Sequence, residues 1–456
     1  MTPAGAGKTP RRPSVDAARL AAYDVLVAVR QDDAYANLVL PQLLRERRIE
    51  GRDAAFTTEL VGGTLRGLGR YDAVIDHLAG RRPDPAVRDA LRLGAHQLLA
   101  MRVPDHAAVT STVELVRTRV GHKPAGFTNA VLRRITERDL DSWMDLLDAS
   151  TSVRFSHPQW IVDELARALD RPDELEALLT ADNARPRVTL VARPGLSTVA
   201  ELASAFTEPA GSTLSPLGVT LESGDPGAVP AIRDGRAGVQ DAGSQLVALA
   251  LARASVEGTD ERWLDLCAGP GGKSALLGAL ATERDARLLA NERQPHRAEL
   301  VARALRATTG DVVIGDGTRP PWAGGTFDRV LVDAPCTGLG ALRRRPESRW
   351  RRTRDDLRAL VPLQQGLLHS ALESVRPGGV VLYATCSPVL EETAGVVESG
   401  LAGRTDTRLE DTLALVPEAT DAESAHLPGA VQLWPHRHGT DAMFMALLRR
   451  LDTPRP

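Results

Sequence analysis

Three cysteines are the only thiols in this 456-residue chain, and two of them sit 50 residues apart, in Asp333-Ala334-Pro335-Cys336 and Thr385-Cys386-Ser387. The third lies upstream in Asp265-Leu266-Cys267-Ala268-Gly269-Pro270-Gly271-Gly272-Lys273, which reads as a nucleotide-binding turn. Each falls in a short apolar stretch that reads as a strand end. Two thiols beside such a turn point to methylation of cytosine. C5 of cytosine is a poor nucleophile, so a thiolate must first add at C6, giving an enamine that attacks a sulfonium methyl. Asp333, three residues before Cys336, is placed to interact with N3 as charge develops. A second thiol could assist expulsion of the enzyme. A free thiol ionises near pH ~8.5 and either site could lower that, so residue chemistry leaves open which cysteine attacks. Cys267 reads as packing against the cofactor, and Lys273 either approaches the pocket or merely starts a helix.

The turn is expected to bind through its backbone. Trp263 to Cys267 reads as a strand, the glycines as a tight turn and Ser274 onward as a helix, whose N-terminus favours an anionic group. A phosphate-cradling loop needs glycine five residues before Gly272, where Cys267 stands, and the G-x-G-x-x-G dinucleotide fingerprint is absent. Glu292, ending the next apolar run, sits where a ribose diol would be gripped. Asp316, after the run beyond it, is suited to an adenine amino group. Together these fit S-adenosylmethionine, with Cys267, Ala268, Gly269, Pro270, Gly271, Gly272, Lys273, Glu292, Asp316 and Asp333 as its expected neighbours.

Three regions must position these residues. Apolar positions at helical spacing, such as Val87, Leu91 and Ala95 or Val109, Val113 and Val116, predict an all-α domain over 1–145. Gly51, the stretch 80–85, Val103-Pro104 and 121–124 break it into helices, and Ser156 is a plausible cap for another that begins at His157-Pro158. Residues 146–236 predict a small α+β linker domain with Arg187 to Ala192 as a strand. From 237 to 452, β-rich runs alternate with helical ones: Arg262 to Cys267, Leu288 to Asn291, Val312 to Ile314, Arg329 to Val332, Val380 to Tyr383 and Met443 to Leu448. That alternation predicts a Rossmann-like α/β domain, a doubly wound parallel sheet with ligands at the carboxyl ends of its strands.

Bulk composition narrows the classes. Hydrophobic residues make up 43% and aromatics only 4%, so Ala, Val and Leu must build the cores. An odd cysteine count without C-x-x-C spacing argues against a disulfide framework or a zinc site and for a reducing, cytoplasmic setting. The longest apolar run, Leu246 to Ala252, is far short of the ~20 residues that cross a bilayer, so neither a membrane nor a metal is expected. Net charge is -3, yet seven arginines crowd into Arg343 to Arg354. Arg343, Arg344, Arg345, Arg349 and Trp350 are the expected RNA contacts, by pairing with phosphate and stacking on bases. The target cytosine would have to be single-stranded or flipped out.

Taken in order, Asp265 to Lys273, Asp333 to Cys336, Arg343-Arg344-Arg345-Pro346-Glu347 and Thr385-Cys386-Ser387-Pro388 resemble the RNA cytosine-5 methyltransferases of the Sun/NSUN family. The N-terminal region, with Ala54-Ala55-Phe56, Leu60 to Arg66 and Asn129 to Arg133, resembles the RNA-binding fold of the antitermination factor NusB. Their fusion is characteristic of the bacterial branch acting on small-subunit ribosomal RNA, as are His157-Pro158-Gln159-Trp160 and Gln240 to Gln245. The resemblance implies that Cys386 attacks and Cys336 helps release, whereas DNA cytosine-5 enzymes attack with the cysteine of Pro-Cys. Gly269 stands where that family usually has Ala, Ser274 where it has Thr, Glu292 where Asp is commoner and Thr189 where the linker often has Asn. Transfer RNA as substrate, or a non-catalytic RNA-binding assembly factor, are the alternatives.

Overall fold

The computed structural model describes residues 16–206, 209–210, 213–221 and 224–452, and the chain folds into two compact units. The first comprises residues 16–159 together with Arg344–Trp350. It is all-helical, and its longer helices are Ala17–Gln31, Ala36–Glu46, Gly51–Arg66, Leu68–Ala79, Pro85–Leu99, Asp105–Arg119 and Ala125–Ile135. Their ends follow local rules: Asp16, Asp84 and Asp139 accept backbone N–H bonds as N-caps, Pro85 opens its helix, and Gly80 closes another in the left-handed region. Two apolar clusters fill the unit, one around Leu26, Leu60, Leu93 and Leu115, the other around Val74, Leu91, Leu132 and Trp143.

Trp143 and Met144 anchor the last short helices to the second cluster, with Val153 packed against it, and the compact unit runs to Gln159. Ser156 does not cap the next helix, which starts at Gln159. Its hydroxyl accepts from Gly69 N at 2.8 Å.

The second unit, 160–343 and 351–452, contains both sheets. A four-stranded antiparallel sheet in the order β2-β3-β1-β4 is built from β1 (Val188–Ala192), β2 (Pro209–Ala210), β3 (Gly218–Leu221) and β4 (Ala237–Val239). This is the mixed linker region, and it shares its compact unit with the larger sheet. That sheet has eight strands: β5 (Arg262–Asp265), β6 (Arg287–Glu292), β7 (Asp311–Ile314), β8 (Phe327–Asp333), β9 (Val375–Thr385), β10 (Thr407–Glu410), β11 (Val431–Gln432) and β12 (Phe444–Arg450). Their order is β10-β12-β9-β8-β5-β6-β7, with β11 on β12.

The run β9-β8-β5-β6-β7 is parallel, and β12 joins it antiparallel. Buried side chains alternate across it. Leu331, Leu382 and Leu447 face a core shared with helices Ala242–Arg253, Gly272–Thr282 and Pro295–Leu305. Val330, Val332, Val381, Tyr383 and Ala446 face helices Arg354–Ser374 and Ala394–Leu401. Strands covered on both faces must be apolar on both, which is why they stand out in the sequence as runs.

Sheet order sets the site. β5 lies between β6 and β8, so the chain turns opposite ways on its two sides, and a crevice opens at the strands' carboxyl ends. Register pairs Asp333 on β8 with Ala384 on β9. The loops carrying Cys336 and Cys386 therefore leave the sheet side by side.

Candidate active site

The turn after β5 is held through its main-chain atoms, by one backbone bond and two side chains. Ala268 N donates to Asn291 O at 2.9 Å, Asn291 Nδ2 donates to Leu266 O at 2.9 Å, and Arg297 Nη2 reaches Gly269 O. Gly271 adopts φ +106°, and a Cβ there would meet helix Pro295–Leu305 at 2.8 Å from the Ala304 Cβ. A Cβ on Gly269 would lie 2.0 Å from Glu292 Oε2. Glycine at 269 and the long carboxylate at 292 are thus mutually accommodating, which accounts for both departures from the family pattern together.

Glu292 is buried at the end of β6, its Oε1 accepting from Gln294 N at 2.9 Å. Asp316 lies just beyond β7, where Thr318 donates through Oγ1 and N at 2.8 and 3.0 Å and holds the carboxyl below its usual range. Beneath the turn, burial raises the Asp265 carboxyl to about 7 despite a 2.6 Å bond from Ser274 Oγ. Serine here fills the place the resemblance gave to threonine.

At the other end of the crevice Cys336 Sγ and Cys386 Sγ lie 3.4 Å apart. Lys273 Nζ donates to Asp333 Oδ2 at 2.8 Å. Burial works against the Lys273 charge, but Asp333 and then Cys386 outweigh it and hold the amine above its usual value. The Lys273 charge thus lies on the side of Cys386. Cys336 differs: the hydrogen bond with Cys386, then burial, then the charges of Cys386 and Glu392 push its thiol well above the ordinary range. Cys267 is also pushed up, by burial and by Asp265, Asp333 and Glu292, which suits a packing role and not a nucleophile. Lys273, in the first turn of its helix, is thus close enough to Cys386 for the two charges to interact.

The arginine-rich segment departs from expectation. Arg343 is buried in the second unit, donating to Asp441 Oδ1 at 2.8 Å, Asp241 Oδ1 at 2.9 Å and Gly439 O at 3.0 Å. Arg349 is fully buried in the helical unit, where its Nη1 donates to Ser156 O at 2.9 Å. Both were expected to meet RNA, and both are structural: a buried guanidinium needs internal acceptors, and these have them. Arg344 is half-buried, Arg345 is exposed with its guanidinium 5.3 Å from the Tyr35 ring centroid, and Trp350 is 38% exposed. Those three remain as candidates for RNA contact.

Sequence reasoning missed the residues that bind the cysteine loops together. Glu392 is fully buried and accepts from Thr337 N at 2.8 Å and Gln364 Nε2 at 3.0 Å. No motif marks it, because its partners lie 55 and 28 residues away. Among the described residues no group of His, Cys, Asp or Glu could hold a metal ion, and no helix is long and apolar enough to cross a membrane.

Comparison with known proteins places this geometry in context. Residues 254–449 match the family model described as 16S rRNA methyltransferase RsmB/F, and residues 16–137 match that of the NusB family. A Mycobacterium tuberculosis (strain ATCC 25618 / H37Rv) protein, whose name goes no further than methyltransferase, is 52% identical over 464 residues, covering 99% of this chain and 100% of its own. The ribosomal RNA small subunit methyltransferase B of Salmonella typhi is 33% identical over 407 residues, 86% of this chain and 91% of that one. In fold, the crystal structure of PH0851 superposes with a TM-score of 0.80 at 22% identity, over 96% of this chain and 100% of that one.

Proposed function

The chain belongs to the 16S rRNA methyltransferase RsmB/F family, an S-adenosylmethionine-dependent RNA methyltransferase with a NusB domain, and from that premise we propose that it methylates C5 of a cytosine in small-subunit ribosomal RNA. The residues present fit the cofactor. Gly269 and Gly271 have no room for side chains, Gly272 faces open space with nothing within 4 Å of a Cβ, Glu292 ends β6 beside Gly269, and Asp316 follows β7. In this reading the turn Cys267 to Lys273 with Glu292 and Asp316 holds S-adenosylmethionine, and Asp333 borders it. When bound, the cofactor supplies an electrophilic methyl on a sulfonium.

The chain's own residues do the rest. Cys386, beside the positive charge of Lys273, gives an electron pair to C6; N3, toward which negative charge spreads, takes a proton from water until the thiol leaves, and as N–H it donates to the Asp333 carboxylate. C5 then carries the electrons that form the new carbon–carbon bond. To finish, C5 loses its proton to water, the C6–sulfur pair returns to Cys386, and the S–H of Cys336 steadies the departing thiolate by hydrogen bond. In this reading the exposed Arg345 and Trp350, with the half-buried Arg344, take part in RNA binding, with the target base out of its stack.

The single observation that supports this reading most is the pair of sulfurs 3.4 Å apart, beside the Lys273–Asp333 bridge. Bisulfite sequencing of small-subunit RNA treated with the enzyme should reveal one new resistant cytosine. With Cys386→Ala, transfer is expected to fall by at least ~10³-fold, as for loss of a covalent nucleophile. Full transfer by Cys386→Ala, or methylation of transfer RNA alone, would overturn the proposal.

A further inference from the structure

The two sulfurs come from loops with little main-chain connection. Gly340 N donates to Cys386 O at 2.9 Å, and Thr337 Oγ1 lies 3.2 Å from Ser387 Oγ. The remaining ties converge on one side chain. Glu392 Oε1 accepts from Thr337 N, the residue after Cys336, at 2.8 Å, and Oε2 accepts from Thr337 Oγ1 at 2.5 Å. Gln364 Nε2 bonds both Glu392 Oε1, at 3.0 Å, and Pro335 O, before Cys336, at 2.9 Å. Glu392 itself rides on the short turn Leu390–Glu392 that follows Cys386, and its carbonyl accepts from the buried Tyr383 hydroxyl at 2.7 Å. A carboxylate of zero exposure is thus bonded to both neighbours of one thiol, directly or through Gln364, from the loop of the other.

We propose that Glu392 is a positioning residue for the reaction: it holds the loop of Cys336 against that of Cys386 and keeps the proton of the thiol pair on Cys336, leaving Cys386 as the attacking sulfur. This rests on the reaction proposed above. The groups facing the pair are few. Lys273, bridged to Asp333, adds its positive charge on the Cys386 side, while Glu392 adds negative charge on the Cys336 side and Tyr383 is a buried neutral phenol. A negative charge beside one of two equivalent thiols disfavours ionisation there and sends the charge to the other. The division of labour between the cysteines then follows from a residue that touches neither substrate nor cofactor.

Glu392→Gln separates the two roles. Its carbonyl can keep both Oε1 bonds, and its amide can donate to Thr337 Oγ1, which is free to donate onward to Ser387. The loops should stay together while the charge is lost. Alkylation of the enzyme without RNA, read separately on the Cys336 and Cys386 peptides by mass spectrometry, should show the Cys336 midpoint falling by about one pH unit in Glu392→Gln. Capture of the dithiol by phenylarsine oxide, which needs both sulfurs within bridging distance, should persist in Glu392→Gln and weaken about tenfold in Glu392→Ala, a loss of roughly 1.4 kcal/mol. An unchanged Cys336 midpoint in Glu392→Gln, or wild-type arsenical capture by Glu392→Ala, overturns the inference. Neither readout involves methyl transfer, so they decide it even if the reaction itself is assigned wrongly, which the bisulfite experiment would reveal.

Discussion

The two ends of the crevice are built by different means. At the turn after β5 the groups held are main-chain atoms, Ala268 N by Asn291 O and the Leu266 and Gly269 carbonyls by the Asn291 and Arg297 side chains, and at Gly269 and Gly271 what matters is the absence of a side chain. At the thiol pair the side chains present are what matter: the loops of Cys336 and Cys386 are kept in place by buried side chains, Glu392, Gln364 and Thr337, with a lysine–aspartate bridge alongside. A backbone cradle suits a ligand that must be bound the same way in every cycle. Reacting sulfurs need more, because their charges as well as their positions must be set, and only side chains supply charge. The first end should therefore be sensitive to added volume and the second to altered charge.

Adding volume gives the larger effect. Gly269→Ala drives a Cβ to 2.0 Å from Glu292 Oε2, so the carboxylate must swing away from the place where we propose it grips the cofactor. Cofactor affinity by calorimetry should fall at least about tenfold, the worth of one hydrogen bond to a charged group. Shortening the acid in Gly269→Ala/Glu292→Asp should recover most of it. Equal affinities in wild type and Gly269→Ala would show that the two ends do not differ in this way.

A smaller effect separates the turn's foundation from its surface. Asp265 has a folded carboxyl raised to about 7, above the ~3.9 of an unfolded chain. The folded state therefore holds that proton more tightly, and this group's contribution to stability falls as pH climbs from about 4 to about 7. Asp265→Asn should flatten the melting temperature across that window, whereas an unchanged slope would remove the buried charge from the account.

Much of the site was legible because it depends on local order. Strands buried on both faces read as apolar runs, glycines mark the turn, and Glu292, Asp316, Asp333 and Cys386 sit at or within a few residues of strand ends, where position in the chain implies position in space. β10 and β11 were not foreseen, being short edge strands with mixed composition. Glu392 was illegible for another reason: its role exists only once the segments around 337, 364 and 392 converge. The arginines misled because charge density along a chain carries no information on burial. Arg343 and Arg349 look like their neighbours in sequence and differ only in the acceptors that the fold brings to them.

The identity of the attacking sulfur is tested most directly by trapping it. Cys336→Ala, incubated with small-subunit RNA and S-adenosylmethionine and run on a denaturing gel, should accumulate a protein–RNA species because release is slowed. Peptide mapping should find the nucleotide on Cys386, with no such species from Cys386→Ala. A covalent complex formed by Cys386→Ala and carried on Cys336 would contradict the assignment.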